Sequence, residues 1–127
     1  MQSHSDIQSI LESFEQDLNP VTFTNGFKGA TIIGYGAGVN ATNALQSTII
    51  GSFAGQYTTT ANGAVMIGSS AGNQTTTASN AVMIGTAVGL LATNAANAVI
   101  VGNVAGFNAT NAGNSVMLGL LAGYNAT

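Results

Sequence analysis

Between residues 31 and 127 the hydrophobic positions fall into columns spaced 17 residues apart. Each repeat opens on a short, mostly β-branched run: Thr31-Ile32-Ile33, Thr48-Ile49-Ile50, Val65-Met66-Ile67, Val82-Met83-Ile84, Val99-Ile100-Val101 and Val116-Met117-Leu118. Three such residues followed by glycine are too short for a helix and have the composition of a strand. Glycine then recurs in one column, Gly34, Gly51, Gly68, Gly85, Gly102 and Gly119, and four residues later in another, Gly38, Gly55, Gly72, Gly89, Gly106 and Gly123. A strict period with turn residues in fixed columns marks a solenoid, in which each repeat buries its apolar face by stacking on its neighbours. The pattern predicts an all-β repeat solenoid, a β-roll or β-helix of about six 17-residue coils, running 31–47, 48–64, 65–81, 82–98, 99–115 and 116–127. The glycines fit the coil corners, where positive φ is needed.

A second extended piece follows the glycines. One of its columns is Thr (Thr42, Thr59, Thr76, Thr93, Thr110, Thr127), and two residues on it is Ala (Ala44, Ala61, Ala78, Ala95, Ala112). Same parity means same face in a strand, so both columns are expected inside, as a thin core with laddered hydroxyls. Two strands and two glycine-bearing turns per coil would make a flattened roll. If Val65 and Ile67 also point inward, Met66 points outward, and its column reads Ile32, Ile49, Met66, Met83, Ile100 and Met117. A contiguous outward stripe of large apolar side chains is costly in water and marks an interface. This column is the expected contact between chains.

Ahead of the repeats, Ile7, Ile10, Leu11, Phe14 and Leu18 lie three and four residues apart, which predicts an amphipathic helix over 5–18. Ser5 and Gln8 fit a capping box, and Asn19-Pro20 ends the segment. A helix of this length needs a partner for its stripe, either the solenoid of its own chain or the same helix from sister chains. Ile7, Leu11, Phe14 and Leu18 therefore join the candidate inter-chain residues. The chain divides into an N-terminal helix (1–20), a junction with strand and turn character (21–30, with Asn25-Gly26 as the turn) and the repeats (31–127).

Charge changes the functional picture. Residues 29–127 contain no Asp, Glu, Lys or Arg, and Lys28 is the one cation of the chain. Nucleic acid is an unsuitable partner, because neutralising phosphates takes several basic side chains. No apolar run is long enough for a membrane span, and the polar start of the chain does not fit a signal peptide. With no cysteine and a single histidine, His4, there is no candidate metal site and no base to activate the many hydroxyls. Glu12 and Glu15 fit a solvated helix face. Gly34-Tyr35-Gly36-Ala37-Gly38 lacks the spacing and the acidic ribose ligand of a dinucleotide loop. Catalytic, cofactor and metal sites are all expected to be absent.

The segments Asn80-Ala81-Val82-Met83-Ile84-Gly85, Asn97-Ala98-Val99-Ile100-Val101-Gly102 and Asn114-Ser115-Val116-Met117-Leu118-Gly119 resemble the Asn-Ser-Val-Ala-Ile-Gly head repeat of trimeric autotransporter adhesins. The longer unit Ile67-Gly68-Ser69-Ser70-Ala71-Gly72-Asn73-Gln74-Thr75-Thr76-Thr77 is more similar still to Ile-Gly-x-x-Ala-Gly-x-x-x-Thr-Thr repeats of phage tail fibres and related virion appendages. The resemblance covers 31–127. It implies a homotrimer of parallel β-rolls. A tail fibre assembled in the cytosol without a signal peptide fits this chain better than an anchored autotransporter.

The expected function is thus a non-enzymatic structural protein, a shaft segment of a tail fibre or similar extracellular appendage supporting host attachment. Its partners would be copies of itself and a tail or baseplate protein. One alternative is a homopolymeric filament subunit stacking head to tail. Another is an ice-binding solenoid, with Thr58-Thr59-Thr60 and Thr75-Thr76-Thr77 presenting Thr-x-Thr outward.

Overall fold

The structure, a computed structural model, describes residues 6–7 and 27–127. Six strands follow one another at the expected positions: β1 (Thr31–Ile33), β2 (Thr48–Ile50), β3 (Val65–Ile67), β4 (Val82–Ile84), β5 (Val99–Val101) and β6 (Val116–Leu118). They form one parallel sheet in sequence order. Each residue pairs with its equivalent in the next coil, Thr31 with Thr48 and Met66 with Met83, for example. At about 4.8 Å per coil the stack extends some 25–30 Å along its axis.

The ladder does not stop at the strands. Around the whole perimeter, backbone N–H groups donate to carbonyls of the coil before or after, as in Thr48 to Ala64 (2.8 Å), Phe53 to Tyr35 (2.8 Å), Gly55 to Ala71 (2.8 Å), Tyr57 to Val39 (3.0 Å), Thr59 to Thr75 (3.2 Å) and Gly63 to Leu45 (2.8 Å). Buried backbone groups are therefore satisfied at the corners as they are in the sheet.

The rest of each coil differs from the expected second strand. In the coil of β2, four turns close with bonds from Ala54 to Gly51, Gln56 to Phe53, Thr58 to Gly55 and Ala64 to Ala61. The third residue of each turn has positive φ, at Phe53 (58°), Gly55 (61°), Tyr57 (59°) and Gly63 (67°), as a type II turn requires. Three successive turns use up the chain that a second strand would need. Only single-residue bridges remain of it, at Asn43–Thr60, Thr60–Thr77 and Thr77–Asn94.

The two glycine columns have different tasks. At Gly68 φ is 130°, and a Cβ would collide with the carbonyl oxygen of Gly85 in the next coil. At Gly72 a Cβ would lie 2.5 Å from the Met66 sulfur, and at Gly89 2.6 Å from that of Met83. The second column thus faces the middle of the strand across a very narrow core and leaves room for its side chain.

That core contains the middle strand column. Ile49, Met66, Met83 and Ile100 are fully buried, and Ile32 nearly so. Small residues surround them, including Ala54, Ala71 and Ala105 on one side and Ala61, Ala78 and Ala95 on another. One large side chain per coil, ringed by alanine and glycine, is what a 17-residue perimeter can enclose at normal packing density.

Of the helix expected over 5–18, Asp6 and Ile7 are helical, with Ile7 exposed. Leu11, Phe14 and Leu18, and the Val21–Phe23 strand of the junction, lie outside the described residues. Phe27 is buried against the first coil, where its ring approaches Gly38.

The glycine geometry gives a direct test. Gly68→Ala should cost on the order of 4 kcal/mol or prevent folding, because backbone meets backbone. Gly119→Ala, where a Cβ would meet nothing within 4 Å, should cost only its positive-φ strain, about 1–3 kcal/mol. Chemical denaturation followed by circular dichroism ranks the two.

Candidate interaction surface

The faces of the solenoid follow from which side chains are turned inward. Strand alternation places the flanking residues outside once the middle one is inside. Ile33, Ile84, Val116 and Leu118 are exposed, and Ile50, Val65, Ile67, Val82, Val99 and Val101 half-buried. This reverses the parity expected for the strands. Ile32, Ile49, Met66, Met83 and Ile100 are enclosed by their own coil, and Met117 is partly buried, so they cannot form the contact between chains assigned to them above. The physical reason is volume, since two large columns per coil, such as Val65 and Ile67, exceed the narrow interior.

The outward strand face is therefore a flat, apolar, uncharged sheet surface. Past the first glycine column it continues round a corner that carries Tyr35 (74% exposed), Phe53, Leu120 (72% exposed) and Leu121. Tyr35 and Phe53 meet edge to face with centroids 5.4 Å apart. On a further stretch of the coil Phe107 stacks on Tyr124 at 5.1 Å.

Elsewhere the surface is hydroxyl and amide. The Thr column Thr42, Thr59, Thr76, Thr93, Thr110 and Thr127 is exposed in every coil, contrary to the inward position expected. The chain bends at Thr42 and its equivalents, which breaks the strand alternation on which that expectation relied, while the Ala44 column is inside as expected. Thr58 and Thr75 are buried instead, each hydroxyl donating to a carbonyl, of Gly72 and Gly89 respectively, at 2.7 Å. The outward Thr-x-Thr pairs proposed for ice binding are thus not formed.

Asparagines stack into amide ladders. Asn80 donates to Asn97 (3.4 Å), Asn97 to Asn114 (3.2 Å) and Asn108 to Asn125 (3.0 Å). Asn73 is bonded to Gln56 at 3.4 Å, but its own carbonyl oxygen is buried without a partner because its equivalent in the following coil is Leu90.

The chemistry of this surface is that of contact rather than reaction. Among the described residues there is no group of three or more His, Cys, Asp or Glu side chains that could hold a metal ion, and no helix long and apolar enough to cross a membrane. Comparison with protein-family models, curated proteins and solved structures finds no match. The surface is therefore interpreted from its own geometry.

Two adjacent residues discriminate inside from outside. Met83→Asp should abolish the β signal in circular dichroism, because an unpaired carboxylate would be enclosed in the core. Ile84→Asp should leave that signal intact and lower stability by about 1 kcal/mol or less.

Proposed function

We propose that the chain is a non-enzymatic structural protein, the shaft segment of a phage tail fibre or similar virion appendage, built as a homotrimer and supporting host attachment. The observation that carries this reading is the hydrogen-bond ladder around the full perimeter of every coil. A backbone cross-linked on all sides resists bending, and in a solenoid each added coil lengthens the rod without a new fold. The surface supports the same reading, since residues 29–127 carry no ionisable acid or base other than tyrosine. A shaft needs length and stiffness, and this chain supplies both from one repeated unit.

Immunogold electron microscopy with antibodies raised against residues 31–127 tests the proposal on particles from the producing culture. Gold is expected along thin particle appendages. Labelling confined to free, non-particulate protein would contradict it.

A further inference from the structure

The outward strand face is the largest feature that folding of a single chain leaves uncovered. Six strands at about 4.8 Å, each three residues of about 3.3 Å, give it a footprint of roughly 290 Å². A stable interface takes about 800 Å² from each partner. The strand face alone falls short of this, and the adjoining corner with Tyr35, Phe53, Leu120 and Leu121 supplies the nearest further apolar surface.

Two properties select the partner. The first is spacing. In-register pairing sets Ile33, Ile50, Ile67, Ile84 and Val101 in rows one coil apart, and a surface with the same axial repeat can seat a row in every groove, as paired sheets do in dry zippers. The second is charge. Residues 29–127 have none, so like faces can approach without repulsion, and nothing on the face favours a charged partner. A second copy of this chain meets both conditions by construction.

We infer that the outward faces of β1–β6 are the contact between copies of this chain. The faces converge on an axis parallel to the solenoid, and the corners carrying Tyr35 and Phe53 close the gaps between neighbours. The assembly is a closed ring, since a face set against its equivalents around an axis leaves no unpaired face. This inference rests on the shaft reading and names the partner for it.

The chain has no cysteine, so one introduced thiol reports a single location. The full chain carrying Ile67→Cys, and separately Thr76→Cys on the exposed Thr column, is treated with a short bismaleimide. Mass is measured by light scattering, and folding by circular dichroism. The expected result is a native mass that is a small multiple of 12.6 kDa, with inter-chain cross-linking at Ile67→Cys at least tenfold above that at Thr76→Cys. Ile84→Cys serves as a second probe of the same face if Ile67→Cys misfolds. A monomer at high concentration, or cross-linking at Thr76→Cys alone, overturns the inference. A monomer whose Cys at 67 is also shielded from a soluble maleimide points to cover by the chain's own N-terminal segment, which overturns it equally. Particle appendages that carry immunogold while Ile67→Cys fails to cross-link would sink this interface but not the shaft. Cross-linking without labelled appendages would do the reverse.

Discussion

Every coil is tied to the next by backbone hydrogen bonds around its whole circumference, and this one constraint governs the rest of the structure. It requires each residue to lie over its equivalent 17 positions away, so no coil can gain or lose a residue without breaking bonds on both sides. It brings Gly68 so close to Gly85 that no side chain fits between them. It also holds residues in conformations they would not choose alone. Tyr57, Leu91 and Val104 all have φ near 60°, each at a cost of about 1–2 kcal/mol for an L-residue. Their own turns and the coils above and below fix the backbone so completely that the strain persists.

The core follows from the same geometry. A perimeter of 17 residues with four turns leaves a narrow interior, filled by one large side chain per coil and otherwise by alanine. Gly55, Gly72, Gly89 and Gly106 complete it from the opposite wall, where a methyl group would press on Ile49, Met66, Met83 and Ile100. With so little volume inside, the remaining aliphatic residues of each strand stay on the surface. The fold thus generates its apolar outer face as a consequence of how thin its core is, and a rod that associates through that face uses what folding could not enclose.

The period, the number of coils and the strand positions were all legible in the chain, because columns of glycine and β-branched residues repeat without interruption. The direction of the strand side chains was not read correctly from alternation, which gives two phases and does not choose between them. Volume does choose. Nearly every other inward column is alanine, so Val65 and Ile67 could not both join the interior with their equivalents in every coil, whereas Met66 alone could. The second strand was overread for a related reason. Thr42 and Ala44 share a parity, but three turns precede them and the chain bends between them, and residues such as Tyr57 and Leu91 give no hint of positive φ. The outward face, and with it the candidate interaction surface, became visible only once the phase was set.

Amide hydrogen exchange tests the continuous ladder most directly. If the corners are bonded between coils as the strands are, the N–H groups of Gly55, Tyr57 and Gly63, which donate to Ala71, Val39 and Leu45, should exchange within about tenfold of those of Met66 and Met83 in the sheet. Exchange at these corner positions at the rate of an unstructured peptide, with the strands still protected, would contradict the account. It would reduce the solenoid to a narrow sheet with loose connections.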